Sequence, residues 1–140
     1  MADFPQDIRL ILAHKQSTSA RVRFLCFAHG VVAFQPLPAL STFDEDAPAP
    51  QVIPHPGVYL RPAELRLGLP EDSLKHEVEF VAHVQTPDTI ISVNLATFKS
   101  IDPPFAAAEA VGGRFIAITE ARNLSDVELN LLRHAYPVLV

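Results

Sequence analysis

A chain of 140 residues is the size of one domain and can bury roughly 70% of the surface its unfolded form exposes, so a single core is expected over residues 1–140. With 49% apolar and 19% charged residues it is not a disordered chain. A formal net charge of -5 sets it against a nucleic-acid backbone or an anionic membrane surface.

Cys26 is the only cysteine, which excludes an intrachain disulfide and any metal site built on several thiolates. Met1–Pro5 shows no basic segment leading into an apolar run, and nowhere do 18 apolar residues follow one another. The expected compartment is the cytoplasm, with no membrane partner.

The first third reads as a three-stranded meander. Ile8, Leu10 and Leu12 alternate, Lys15–Ser19 is a polar turn, and Val22, Phe24 and Cys26 alternate again. Leu10 placed opposite Phe24 puts all six side chains on one face. His29-Gly30 reads as a two-residue hairpin loop, with Gly30 free to take positive φ, and Val31–Gln35 as the returning strand.

Residues 36–57 hold six prolines in 22 positions together with the acidic Asp44-Glu45-Asp46. Proline fixes φ and donates no amide hydrogen, so this connector should run extended over the surface without joining a sheet. A short helix over Pro62–Gly68 follows, with Gly68 as its stop.

Glu77–Val84 and Thr89–Phe98 flank Gln85–Asp88 as a hairpin, Pro87 suiting the first central position of a turn. With Val84 opposite Thr89, one face carries Val78, Phe80 and Ala82 beside Leu95, Val93 and Ile91. The other carries Glu77, Glu79, Val81 and His83 beside Ala96, Asn94, Ser92 and Ile90, and is half polar.

Asp102-Pro103 reads as a helix start and Gly112 as its end. Arg114–Glu120 reads as a central strand, apolar on both faces. Ser125 and Glu128 form a capping box, Leu124 and Leu129 a hydrophobic staple, and Pro137 ends this last helix. The sum is a single α+β domain: a mostly antiparallel sheet of about six strands, two to three short helices packed on one face, and the proline-rich connector within it.

Candidate chemistry is sparse. His14, His29, His55, His76, His83 and His134 lack metal-ligand spacing: Glu79 and His83 share a strand face, yet four strand residues separate them by roughly 13 Å. No metal and no cofactor is expected. There is no G-x-S-x-G elbow, Cys26 lies in an apolar strand as core packing, and Gly112-Gly113 follows a helix where a phosphate cradle would open one. Arg61, Arg66, Lys99, Arg114 and Arg122 stand near element ends, where a guanidinium can grip an anion.

Two functions fit. A mean hydropathy of +0.19 with few charges leaves more apolar surface than a lone domain usually hides. That predicts a non-enzymatic, self-associating accessory or protein-interaction domain, a homo-oligomer with a protein partner and no nucleic acid, with the Tyr136–Val140 tail as a contact strip. The alternative is a protein, or a small enzyme, that binds an anionic small molecule on the half-polar hairpin face through His83 and Asn94 with Arg61, Arg114 or Arg122.

Overall fold

The computed structural model describes residues 7–44 and 55–140. Six strands form one sheet: β1 (Ile8–Lys15), β2 (Val22–Cys26), β3 (Thr42–Asp44), β4 (Leu74–Gln85), β5 (Ile90–Phe98) and β6 (Arg114–Ile116). Their spatial order is β3-β4-β5-β1-β2-β6, with every neighbouring pair antiparallel except β1 and β5. Three helices complete an α+β domain: α1 (Gly57–Leu67), α2 (Phe105–Ala110) and α3 (Asp126–Leu139).

The helices cover both faces, where the sequence suggested one. Leu131, Leu132, Ala135 and Leu139 of α3 pack with Ile11, Ala13, Phe24, Phe80, Ala82 and Leu95. On the other face Tyr59, Ala63 and Leu67 of α1 and Ala108 of α2 pack with Leu10, Leu12, Leu25 and Ala96. β1 therefore lies between two cores and is buried from Ile8 to His14. Its nearly unbroken apolar run is what a doubly covered central strand requires.

That burial also corrects the β1–β2 register. Ala13 pairs with Phe24, so Val22 and Phe24 join Ile11 and Ala13 on the α3 face, while Leu10 and Leu12 turn to the α1 face. A slip by an odd number of residues exchanges the faces of a strand, and here both faces of β1 are apolar enough to accept either. Val31–Gln35 does not form a full third strand: Val32 makes one bridge to Ile11, and the Ala33 amide donates to the Leu10 carbonyl at 2.7 Å.

The connector does join the sheet. Thr42–Asp44 contains no proline, so its amides can pair with His83–Gln85, and Phe43 packs its ring 4.7 Å from that of His134 on α3. Residues 45–54 of the connector, including the acidic Glu45 and Asp46, lie outside the described residues.

In the β4–β5 hairpin Val84 faces Ile91, two residues from the expected partner. An even slip keeps the faces, and Phe80, Ala82, Ile91, Val93 and Leu95 share one core as expected. Between His76 and Val81 the ladder is interrupted by a bulge that leaves Val78 73% exposed.

Helix boundaries shift for local reasons. α1 begins a turn before Pro62 because Tyr59, 1% exposed, anchors that turn in the core, and Gly68 closes the helix at φ +68°. Asp102 does not cap α2; its Oδ1 accepts from Gln16 Nε2 at 2.9 Å, and the helix starts at Phe105. The expected central strand Arg114–Glu120 is an edge strand of three residues followed by a 3-10 turn, Ile118–Glu120, closed by Glu120 Oε1 accepting from the Ala117 amide.

α3 runs through Pro137. Burial of Leu139 in the core holds the last turn despite the missing amide, so the C-terminal tail is a packed helix end instead of an open strip. Among the described residues no helix is long and apolar enough to cross a membrane.

Candidate functional site

The chemistry of this chain gathers at one end of the sheet, where β2 finishes and β6 begins. Beyond Cys26 the chain reverses in a tight turn: the Phe27 amide donates to the Gly30 carbonyl at 2.7 Å and the Gly30 amide to the Phe27 carbonyl at 3.1 Å. Ala28 and His29 are the central residues, so the loop lies one residue earlier than His29-Gly30. Gly30 has φ +136°, a conformation that side chains oppose.

The turn is clipped to α3. Ser125 accepts from the Glu128 amide at 3.3 Å, which is the expected helix cap. The Glu128 side chain continues past the cap, accepts from the Val31 amide at 2.6 Å, and receives the Ser125 hydroxyl at 3.4 Å. Glu128 is buried, and its oxygens are engaged within the protein.

A cleft of about 430 Å³ opens between this turn, the start of β6 and the N-terminus of α3. Cys26, His29, Arg114, Asn123 and Ser125 are among its walls. Arg114 sits opposite Cys26 in the β2–β6 ladder, is exposed, and makes no side-chain hydrogen bond or ion pair among the described residues. The first two amides of α3 point out of the same helix end with no carbonyl of the helix to receive them. The Glu128 carboxylate also lines the cleft, but its oxygens are taken by the Val31 amide and the Ser125 hydroxyl, so Arg114 and the helix amides are the donors left for an anionic group.

On the α1 side of the same turn lies a second, more apolar cavity of about 690 Å³, sharing Phe27, Ala28 and His29 with the first. Its rings are ordered as a tier. His29 stacks on Phe27 with centroids 5.5 Å apart, Phe27 meets Phe34 edge to face at 5.4 Å, and the Arg66 guanidinium lies 5.2 Å over the Phe34 ring. His29 is fixed by donating its Nε2 hydrogen to the Val32 carbonyl at 2.6 Å. Phe34 has φ +68°, a strained conformation for an aromatic residue, held by its neighbours in this tier.

The thiol in the cleft is not an activated nucleophile. Burial pushes the Cys26 thiol up, the Arg114 charge opposes that shift, and the Glu128 charge adds to it. Cys26 packs half-buried against the α3-side core, as the sequence suggested, and also lines the cleft. Among the described residues no group of three or more His, Cys, Asp or Glu side chains is placed to hold a metal ion.

The five residues expected to bind an anion do not converge. His83 and Asn94 do share the α1-side face of the β4–β5 hairpin, both buried, and His83 Nε2 has no hydrogen-bond partner. Arg61 is committed to Glu64 at 3.2 Å. Arg114 stands on the opposite edge, three strand spacings or roughly 14 Å from the strand of Asn94. Arg122 is exposed in the connection between the 3-10 turn and α3. Of the five, Arg114 is the one that lines the cleft.

Phe27, Phe34 and Arg66 were not legible as a group, because their grouping depends on the turn folding back toward α1. No protein-family model matches the chain, and no curated protein matches it significantly.

Proposed function

We propose that this domain binds a small acidic molecule in the cleft between the Phe27–Gly30 turn, Arg114 and the N-terminus of α3. The observation that carries the reading is the Arg114 guanidinium, unpaired among the described residues, on the wall of a cleft that a helix N-terminus also lines. The cleft and its apolar neighbour have volumes in the range of small-molecule sites. The reading is of binding without covalent chemistry, since the Cys26 thiol is held protonated and Ser125 is occupied as a cap.

The test is titration of the 15N-labelled protein with acetate and inorganic phosphate, followed by amide shifts. Saturable shifts at Gly113, Arg114, Ser125 and Asp126 are expected, and Arg114→Gln should weaken binding about tenfold, the worth of one charge-assisted hydrogen bond. Shifts spread over the surface, or unaltered affinity in Arg114→Gln, would overturn the reading.

A second reading, self-association as an interaction domain, is favoured by the apolar side chains left open on the β4–β5 hairpin. Val81 and Ile90 lie on the same sheet face, 52% and 48% exposed, beside the outturned Val78. Native mass spectrometry at high micromolar concentration decides it: an oligomer that Val81→Glu with Ile90→Glu dissociates supports it, and a strict monomer removes it.

A further inference from the structure

We infer that the apolar cavity on the α1 side of the turn is the second compartment of the same site, and that the ligand is a planar aromatic acid. The inference rests on the acid-binding reading above and adds the chemistry of the ligand's body. The two cavities share Phe27, Ala28 and His29, so one molecule straddling the turn would contact both.

The walls of the second compartment select a flat, unsaturated body. The half-buried Phe34 and the His29 ring, stacked on the buried Phe27, supply aromatic surface, Leu65 and Val111 add aliphatic surface, and Leu65 is 51% exposed there. Ring pairs favour offset or edge-to-face approach by another ring, which a saturated chain cannot reproduce. The Arg66 guanidinium, spread over Phe34, offers a flat cationic surface on which a further ring can stack.

Charge complementarity identifies the polar end. Arg66 and Arg114 stand one in each compartment, and the carboxylate that lines the first, Glu128, has Oε2 taken by the Val31 amide and Oε1 by the Ser125 hydroxyl. A ligand carrying a carboxylate on an aromatic body therefore meets cations, whereas an aromatic amine meets two unfavourable charges. The left-handed backbone at Phe34 has the same sense: strain is retained where it presents this ring to the cavity.

The experiment compares 2-naphthoate, acetate and the neutral alcohol 2-naphthylmethanol, each titrated into the 15N-labelled protein. Naphthoate is expected to bind at least about tenfold more tightly than acetate, the worth of burying its ring system, and to shift Phe27, Phe34, Leu65 and Val111 together with Arg114. Leu65→Asp, a change at an exposed position that leaves the core intact, should remove that preference, as should Phe34→Leu. Naphthoate binding no tighter than acetate, with shifts confined to the polar cleft, would overturn this inference and leave the acid-binding reading standing. No saturable shift with either acid would overturn both. Naphthylmethanol binding as tightly as naphthoate would also overturn it, because the acid would then contribute nothing.

Discussion

The Glu128 carboxylate occupies the space that a side chain at position 30 would need, so Gly30 and Glu128 fit as a pair. A Cβ on Gly30 would collide with that carboxylate, and φ +136° would strain it further. Gly30→Ala is expected to destabilise the domain by about 3 kcal/mol, from backbone strain together with the displaced Glu128–Val31 hydrogen bond. Glu128→Ala alone should cost about 2 kcal/mol by leaving the buried Val31 amide without its acceptor. In the double variant the collision disappears and the hydrogen bond is lost only once, so its loss should be smaller than the sum by about 2 kcal/mol. Urea unfolding of the four proteins reads the coupling, and strictly additive losses would show that the two residues are not paired.

The sequence carried the α3 end of this pair and not the other. Ser125 and Glu128 announce a helix start within four residues, and the helix begins there with the Ser125 cap as read, although it runs on through Pro137 and the Glu128 side chain does not return to the Ser125 amide. Nothing local says that the same carboxylate will reach Val31, 97 positions away. The β1 register was ambiguous for a related reason: Ile11 and Ala13 are as apolar as Leu10 and Leu12, so alternation alone does not choose a face. The signal that a strand is covered on both sides is the apolar run Leu10–Ala13 itself. Arg114 was legible as a basic residue at an element end. Its separation from His83 and Asn94 depends on strand order, which a single sequence does not encode in any short pattern.

Alkylation of Cys26 reports the electrostatics of the cleft. The thiolate is the reactive form, and burial, aided by Glu128 and opposed by Arg114, raises the pKa that governs it. The iodoacetamide rate should therefore reach half-maximum at a pH above that of a free thiol. Arg114→Gln should move the midpoint further up, because the charge that stabilises the thiolate is gone, and Glu128→Gln should move it down. A midpoint unmoved by Arg114→Gln would show that the guanidinium does not face the thiol.

A second buried carboxylate fastens α1 to the sheet. Glu64, 3% exposed, accepts from the Ser73 amide at 2.8 Å and the Leu74 amide at 3.0 Å through Oε2, and from Arg61 at 3.2 Å through Oε1. Glu64→Ala strands two amides at the start of β4 and should cost about 3 kcal/mol, or about 10 °C in Tm. Arg61→Ala removes a partner that is partly in water and should cost under about 1 kcal/mol. Thermal unfolding of the two variants separates the contributions, and equal losses would mean that the ion pair, and not the amide clip, dominates.

His76 gives the fold a defined acid sensitivity. Burial lowers its pKa, the Glu77 charge only partly opposing the shift, and Nε2 has no hydrogen-bond partner beside the Tyr59 ring, 5.6 Å away. The hydroxyl of Tyr59 is itself pushed up to about 12 by burial, so it stays protonated throughout this range. The unfolded chain takes up the His76 proton near pH 6.5, while the folded chain resists it until lower pH. The stability associated with neutral His76 is therefore fully present above about pH 6.5, declines as pH falls toward the folded value, and is lost below it. His76→Leu removes this proton uptake and keeps the apolar contact with Tyr59. Its Tm should fall less between pH 7 and pH 5 than that of the parent chain, and parallel declines would show that His76 contributes nothing to the acid response.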